Sequence, residues 1–186
     1  MVHRLSYLFN VFQRRVDGSV EFYRDWDDYR DGFGFLNKEF WLGNDKISLL
    51  TNQKDYILRI DLNNVNGDPY FAKYDLFRIS DEETKYRLVG LGEYDSSSTT
   101  AYDKMAYHRN QTFTTFNRDN DRHSSYNLAQ FCHGAWWHGS YCYNNYYSNL
   151  NGLYTAGSTT YKSIYWYNLP GSSYNIKYAE MKIRPV

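Results

Sequence analysis

Apolar and polar positions alternate in short runs along the first half of the chain, and the runs are separated by glycine-containing turns. Val11 to Val16 reads as a strand, and Asp17-Gly18-Ser19 follows it as a tight turn. Trp26 to Phe33 has the spacing of a short helix, ended by Gly32-Phe33-Gly34. Phe40-Trp41-Leu42-Gly43 then opens a second helix that runs through Asp45 to Thr51. From Tyr56 to Leu62 the pattern has the two-residue period of a half-buried strand. Asn66-Gly67-Asp68 is a hairpin-type turn, Tyr70 to Phe77 returns as the partner strand, and Tyr86 to Leu91 adds another. Residues 1–95 are therefore expected to form a small α+β unit around an antiparallel sheet.

Past Asp95 the periodicity stops, and Ser, Asn, Tyr, Asp and Gly dominate. An irregular segment of this length is uncommon in a compact domain unless a metal, a disulfide or a function organises it, because its backbone groups need partners. Regular alternation resumes at Ile176 to Ile183 as a returning strand. The expected organisation is one domain, with a sheet lobe at about 1–95, a loop-rich lobe at about 96–175 and a closing strand at 176–186.

Charge narrows the function classes. The 186 residues carry 21 Lys+Arg against 21 Asp+Glu, a formal net charge of zero. Binding to nucleic acid or to an anionic membrane needs a clustered positive excess, so neither is expected. No apolar run reaches the roughly 18 residues of a membrane span. Residues 1–12 lack the apolar core and small-residue cleavage site of a secretory leader.

Rings set the chain apart: 21 Tyr, 11 Phe and 5 Trp. Tyr and Trp combine a flat apolar face with a polar tip, so they suit both a half-buried core and the rim of a shallow sugar-binding pocket. Cys132 and Cys142 lie ten apart, which permits a disulfide, two buried thiols or, less naturally without a CxxC or HxxxH pattern, a zinc site. A bridge over so short a loop would stabilise the fold by roughly 2–3 kcal/mol. Asn110-Gln111-Thr112 is a glycosylation sequon.

The loop Asn117-Arg118-Asp119-Asn120-Asp121 places two carboxylates two residues apart. Calcium takes six to eight hard oxygens in flexible geometry, which such a loop can begin to supply; the alternative is a turn held by Asx hydrogen bonds. No nucleophile elbow, phosphate-binding loop, dinucleotide fingerprint or zinc-protease motif occurs, so catalysis is not expected.

These pieces stand in a recognisable order. Gln13-Arg14-Arg15-Val16-Asp17-Gly18-Ser19, Gly32-Phe33-Gly34, Glu39 to Asn44, Phe71-Ala72-Lys73-Tyr74, Asp119-Asn120-Asp121, Gly134-Ala135-Trp136-Trp137, Ser148 to Tyr154 and Glu180 to Pro185 together resemble the fibrinogen-like domain from about Val11 to Pro185. Ficolins, tachylectins, angiopoietins, tenascins and fibrinogen chains share it. The resemblance implies an α+β fold of fibrinogen C-terminal type and an extracellular, calcium-dependent recognition role. Its calcium would be held by the side chains of Asp119 and Asp121 and the carbonyls of His123 and Ser125. In ficolin-like members an acetyl group enters an aromatic cage, whose walls would here be His138, Tyr143, Tyr161 and Trp166. Lys162 replaces a small residue there, and Tyr141, Tyr146 and Tyr147 either extend the stacking surface or cover the disulfide.

The departures are specific. The family's opening segment with its own cysteine pair is missing. Its cysteine past the calcium loop is Leu128 here, Cys132 stands where an aromatic is common, and the pocket's Cys-His reads Cys142-Tyr143. A Cys132–Cys142 bridge would close a shorter loop, and the family's cis peptide would fall at Tyr141-Cys142. Two partner classes follow from the resemblance: acetylated sugars or other acetylated compounds, with oligomerisation of the full-length parent supplying avidity, or a protein receptor or matrix component.

Overall fold

The computed structural model describes residues 8–143, 147–154, 160–171 and 176–186. The chain opens with β1 (Asn10–Arg15), which lies between β3 (Phe40–Trp41) and β10 (Tyr178–Pro185), so the two ends of the sequence share one sheet. With β2 (Phe33–Gly34), β4 (Tyr56–Asn63) and β5 (Pro69–Tyr74) the order is β2-β3-β1-β10-β4-β5, all antiparallel. The alternation read between Tyr56 and Leu62 is the burial pattern observed, with Leu58, Ile60 and Leu62 fully buried. Ile60 faces Met181 across β10, and Met181 in turn faces Gln13 on β1.

Helix α1 (Trp26–Asp31) starts where Asp25 caps it, its carboxylate accepting from the Asp28 N–H at 2.9 Å, and two acids follow in the first turn. It ends two residues earlier than its pattern suggests. Gly32 takes φ +93°, and a Cβ there would lie 2.3 Å from the Leu42 carbonyl oxygen. Only glycine lets the chain turn at that point and enter β2.

Three local expectations are corrected. Phe40 and Trp41 do not open a helix; they pair with Arg14 and Gln13, and α2 (Asn44–Thr51) begins past Gly43, whose φ of +111° is not helical. The segment from Tyr70 to Phe77 breaks, because Asp75 leaves the ladder to bond Glu93, so β6 (Phe77–Arg78) pairs separately with β7 (Gly90–Leu91). Tyr86 to Leu91 is strand only over β7, since Lys85 and Tyr86 both have positive φ. Between Phe113 and Phe116 the chain makes single bridges, from Thr114 to Trp136 and from Thr115 to Arg118.

Rings form the heart of the core. Phe12 stacks on Phe77 at 5.3 Å, Trp41 lies 5.8 Å from Phe113, and Trp137 meets Phe113 edge-on at 5.3 Å. The Trp137 indole donates to the Tyr86 carbonyl at 2.7 Å, so its polar tip is satisfied inside.

One buried charge pair ties the lobes together. The Glu39 carboxylate accepts backbone N–H bonds from Val16, Asp17, Gly18 and Val20 at 2.7–3.2 Å. Arg15 lies 3.7 Å from it and donates to the carbonyls of Leu150 and Gly152 at 3.1 and 2.8 Å, while Gln13 donates to the Leu150 carbonyl at 3.0 Å. Desolvation pulls the Arg15 pKa down and Glu39 opposes that. Glu39→Ala would leave Arg15 buried without a counter-charge and four N–H groups unpaired, and is expected to cost about 3–5 kcal/mol in urea unfolding. Arg14→Ala removes the 2.8 Å pair between Arg14 and Glu180, in which Arg14 is 22% exposed, and is expected to cost about 1 kcal/mol or less. Equal losses for the two variants would refute the role given to Glu39.

Candidate functional site

The irregular lobe carries the site, and side chains do the work that sheet ladders do elsewhere. Thr112 Oγ1 donates to the Asn120 carbonyl at 2.5 Å, the Asn120 amide donates to the Phe113 carbonyl at 2.9 Å, and Thr114 Oγ1 accepts from Asn120 N at 3.2 Å. Asn117 ties the loop to α1 by accepting from Trp26 N at 3.0 Å. The loop is thereby held still while Asp119 and Asp121 present their carboxylates.

Asp121 is the pivot. One oxygen accepts from His123 N at 2.8 Å and the other from Leu128 N at 2.7 Å, while Asp119 accepts from Asp121 N at 3.3 Å. Burial pushes the Asp121 carboxyl up to about 6, the neighbouring Asp119 adds to this, and the two N–H bonds oppose it. His123 Nδ1 accepts from the N–H groups of Ser125 and Tyr126 at 3.2 and 3.1 Å. No hydrogen bond from a described residue reaches the carbonyl oxygens of His123 or Ser125. Both aspartates form the Asx hydrogen bonds of the alternative reading, and their carboxylates are hard-oxygen donors of the kind calcium takes. Among the described residues no group of three or more His, Cys, Asp or Glu side chains converges as a metal site.

Leu128 N, bonded to Asp121, is also the first residue of α3 (Leu128–Phe131). Asn127 caps this turn through Gln130 N at 3.1 Å and anchors it to the Thr115 carbonyl at 2.9 Å. Cys132 follows directly and is bridged to Cys142, with the Cα atoms 6.2 Å apart. Of the three readings open for these cysteines, the disulfide is the one the structure forms. The peptide between Tyr141 and Cys142 is trans, like every peptide bond among the described residues.

Of the four residues expected to wall an acetyl cage, only Tyr143 and Tyr161 are in ring contact with each other among the described residues. His138 is buried, its Nε2 2.8 Å from the Gly134 carbonyl, and Trp166 is buried with its indole donating to the Tyr102 carbonyl at 2.9 Å. Trp166 belongs to β9 (Tyr165–Trp166), which pairs with β8 (Ser148–Asn149). Tyr143 and Tyr161 do meet at the surface, 5.2 Å apart, and Phe131 stacks on Tyr161 at 4.8 Å and on Tyr143 at 6.0 Å. Phe131 and Tyr126 are not singled out by any motif; the aromatic positions 123, 126, 131, 141, 143 and 161 are visible in the sequence, but their convergence is tertiary. Tyr147 is buried against Tyr107 and His108 and adds no stacking surface, Tyr141 is exposed, and Tyr146 lies outside the described residues. Lys162 and Asn110 are both exposed.

His108 is buried between Trp137 and Ser148. Its Nδ1 bonds the Trp137 carbonyl at 2.8 Å and its Nε2 accepts from Ser148 N at 3.2 Å. Burial lowers the His108 pKa to about 4 and that of His138 to about 3.

The class defined by this arrangement, a ring-rich sheet lobe carrying a loop lobe with paired aspartates and a disulfide, is a fibrinogen-like recognition domain. Residues 7–186 match the family described as fibrinogen beta and gamma chains, C-terminal globular domain, and the chain belongs to that family. It is 50% identical over 181 residues to Fibrinogen-like protein A of Apostichopus parvimensis, a match covering 94% of this chain and 59% of that relative. The chain therefore spans about three fifths of the length of this curated relative. The fibrinogen-like globe domain of human ANGPTL2 superposes with a TM-score of 0.85 at 38% identity, covering 95% of this chain and 80% of that one. A lamprey fibrin D-dimer complexed with the peptide ligand Gly-His-Arg-Pro-amide superposes at 0.79 with 33% identity, covering 95% and 61%. Domains of this family are ligand- and protein-interaction modules, and proteins that carry them are typically extracellular. Among the described residues no helix is long and apolar enough to cross a membrane.

The histidines give a pH prediction. An imidazole held neutral in the fold contributes stability above its unfolded pKa near 6.5, and that contribution falls as pH drops toward 4 for His108, at up to about 1.4 kcal/mol per pH unit. Asp121 acts with the opposite sign between about 6 and its unfolded value. The informative quantity is therefore the difference between wild type and His108→Gln in calcium-free buffer. That difference is expected to shrink on acidification from pH 6.5 to 4.5; a constant difference in urea midpoint would contradict the assignment.

Proposed function

We propose that the chain is a calcium-stabilised, non-catalytic recognition domain for acetylated or other carbohydrate ligands, secreted and clustered for avidity in its parent protein. One observation carries the reading. The Asp121 carboxylate holds Leu128 N, the first residue of the turn that presents Phe131 and leads into the Cys132–Cys142 bridge. A cation at Asp119 and Asp121, completed by the His123 and Ser125 carbonyls, would steady the ring surface beside it without touching the ligand. Calcium would supply only charge neutralisation and oxygen coordination here. The non-catalytic reading is supported by His108, both of whose nitrogens are occupied by backbone groups. Asn110 of the sequon is exposed, and a glycan there would accord with secretion.

The second reading is a protein partner, favoured by the exposure of Tyr126, Tyr141 and Tyr143, since tyrosines of this kind anchor protein interfaces.

Calcium is expected to raise the melting temperature of the wild type, by an amount equivalent to about 2.7 kcal/mol when present at a hundred times its dissociation constant. Asp119→Ala should remove that response. Protons compete for Asp121, so the calcium effect is expected in full at pH 7.5 and to fade as pH drops below about 6. A melting curve indifferent to calcium, chelator and the substitution would count against the metal site. In a second assay, calcium-loaded protein should be retained on chitin, a polymer of N-acetylglucosamine, and released by chelator or by free chitin oligomers. Flow-through in calcium would leave the protein-partner reading.

A further inference from the structure

Four pairs in the chain set an aspartate or asparagine directly before glycine: Asp17-Gly18, Asp31-Gly32, Asn66-Gly67 and Asn151-Gly152. In such a pair the glycine nitrogen can close a succinimide ring onto the side-chain carbonyl carbon, because no Cβ stands in the way. Closure needs a side chain free to turn and open space around the glycine. The fold withholds one or both at three of the four pairs.

Gly18 N donates to the Glu39 carboxylate at 3.0 Å, the Asp17 carboxylate accepts from Ser19 N at 2.9 Å, and a Cβ on Gly18 would lie 3.0 Å from the Tyr154 ring. Asp31 is held by Arg30 at 2.9 Å, and Gly32 is wedged against the Leu42 carbonyl. Asn151 is buried, its amide donating to the Ala135 carbonyl at 3.0 Å and its Oδ1 accepting from Gln13 at 3.3 Å. A Cβ on Gly152 would lie 2.5 Å from the Ser163 carbonyl oxygen. Asn66 differs on each count. It is exposed in the turn between β4 and β5, no described residue hydrogen-bonds its side-chain amide, and a Cβ on Gly67 would meet nothing within 4 Å. One bond must open, from Gly67 N to the Asn64 carbonyl at 3.0 Å.

We propose that Asn66 is a site of spontaneous covalent modification, converting to aspartate and isoaspartate in the folded protein while Asn151 is preserved. The proposal is independent of any ligand or metal. Gly67 N gives its proton to solvent and attacks Asn66 Cγ; the bond from Cγ to the side-chain nitrogen breaks, and that nitrogen leaves as ammonia. Water then opens the succinimide. Attack at Cγ gives aspartate, and attack at the main-chain carbonyl gives isoaspartate, with an added methylene in the backbone. One water is consumed, one ammonia is released, and nothing is oxidised. The new carboxylate falls inside a polar clamp. Asn64 Oδ1 accepts from the N–H groups of Asn66 and Asp68 at 3.0 and 2.9 Å, while Asn64 Nδ2 donates to Asp68 at 2.8 Å and to the Pro170 carbonyl at 2.9 Å. An extra negative charge beside Asp68 and a longer backbone both act on the contact that fastens this hairpin to Pro170.

The test is to hold the whole chain at mildly alkaline pH for days and follow it by isoelectric focusing and peptide mapping. The chain has a formal net charge of zero, so each conversion adds one negative charge and a more acidic band. Methyl transfer by a protein isoaspartate methyltransferase marks the isoaspartate product. In the folded chain, conversion at Asn66 is expected to be at least about tenfold faster than at Asn151. In urea the two sites should convert at similar rates, since the protection of Asn151 is tertiary. Asn66→Gln, which cannot close the same ring, should lose the fast acidic band. Equal conversion at the two sites in the folded chain would overturn the proposal, as would conversion of Asn66 only after unfolding or an acidic band that survives Asn66→Gln.

Discussion

Burying Arg15 beside Glu39 is the constraint on which the rest of the molecule hangs. A guanidinium in a dry interior is tolerable only if its charge is matched and its N–H groups find acceptors. Glu39 provides the charge, 3.7 Å from an Nε that makes no hydrogen bond among the described residues, and Leu150 and Gly152 provide carbonyls from the far lobe. The same carboxylate gathers the N–H groups of the turn after β1, and Arg15 Cζ lies 3.9 Å over the Phe22 ring. The sheet lobe and the irregular lobe are thus joined by a polar knot that neither could satisfy alone. From Leu150 the connection runs on through Asn151, which donates to the Ala135 carbonyl at 3.0 Å, and Asn149, which donates to the Cys132 carbonyl at 3.0 Å. A close approach completes it: a Cβ on Gly134 would lie 2.7 Å from the Asn151 carbonyl oxygen.

Beyond that knot the loop lobe solves a backbone problem by unusual means. With few ladders available, buried N–H groups are bonded by asparagine amides, aspartate carboxylates and threonine hydroxyls. Such networks are stiff where every member is satisfied and sensitive where one member carries charge. Asp121 is such a member, held between two backbone donors and a second carboxylate. The disulfide performs the complementary task on the other side of α3, limiting how far Cys132 and the ring of Phe131 can move. Rigid elements on both sides of a short turn let an exposed surface keep its shape before any ligand arrives, which lowers the entropic cost of binding.

Much of the fold could be read directly. The alternation from Tyr56 to Leu62 and the return near Ile176 to Ile183 were decisive because a buried sheet face imposes a two-residue period. The Asp-x-Asp loop was equally visible, since carboxylates two apart in a polar turn are conspicuous whatever surrounds them. The two-residue strands β2, β3, β6 and β7 were not, because so short a run has no period and is defined only by its partner. Nor was the burial of His138 and Trp166, which depends on what packs over them from distant parts of the chain.

What the sequence alone determined was the class of solution: an α+β domain whose core is built of rings, with a charge-neutral surface and an irregular segment that needs an organiser. Those properties are additive over residues and survive without coordinates. Tertiary structure alone decided which rings are sealed in the core and which lie open at the surface. Exposure depends on what packs against a side chain from distant parts of the chain, as when Tyr143 and Tyr161 meet Phe131.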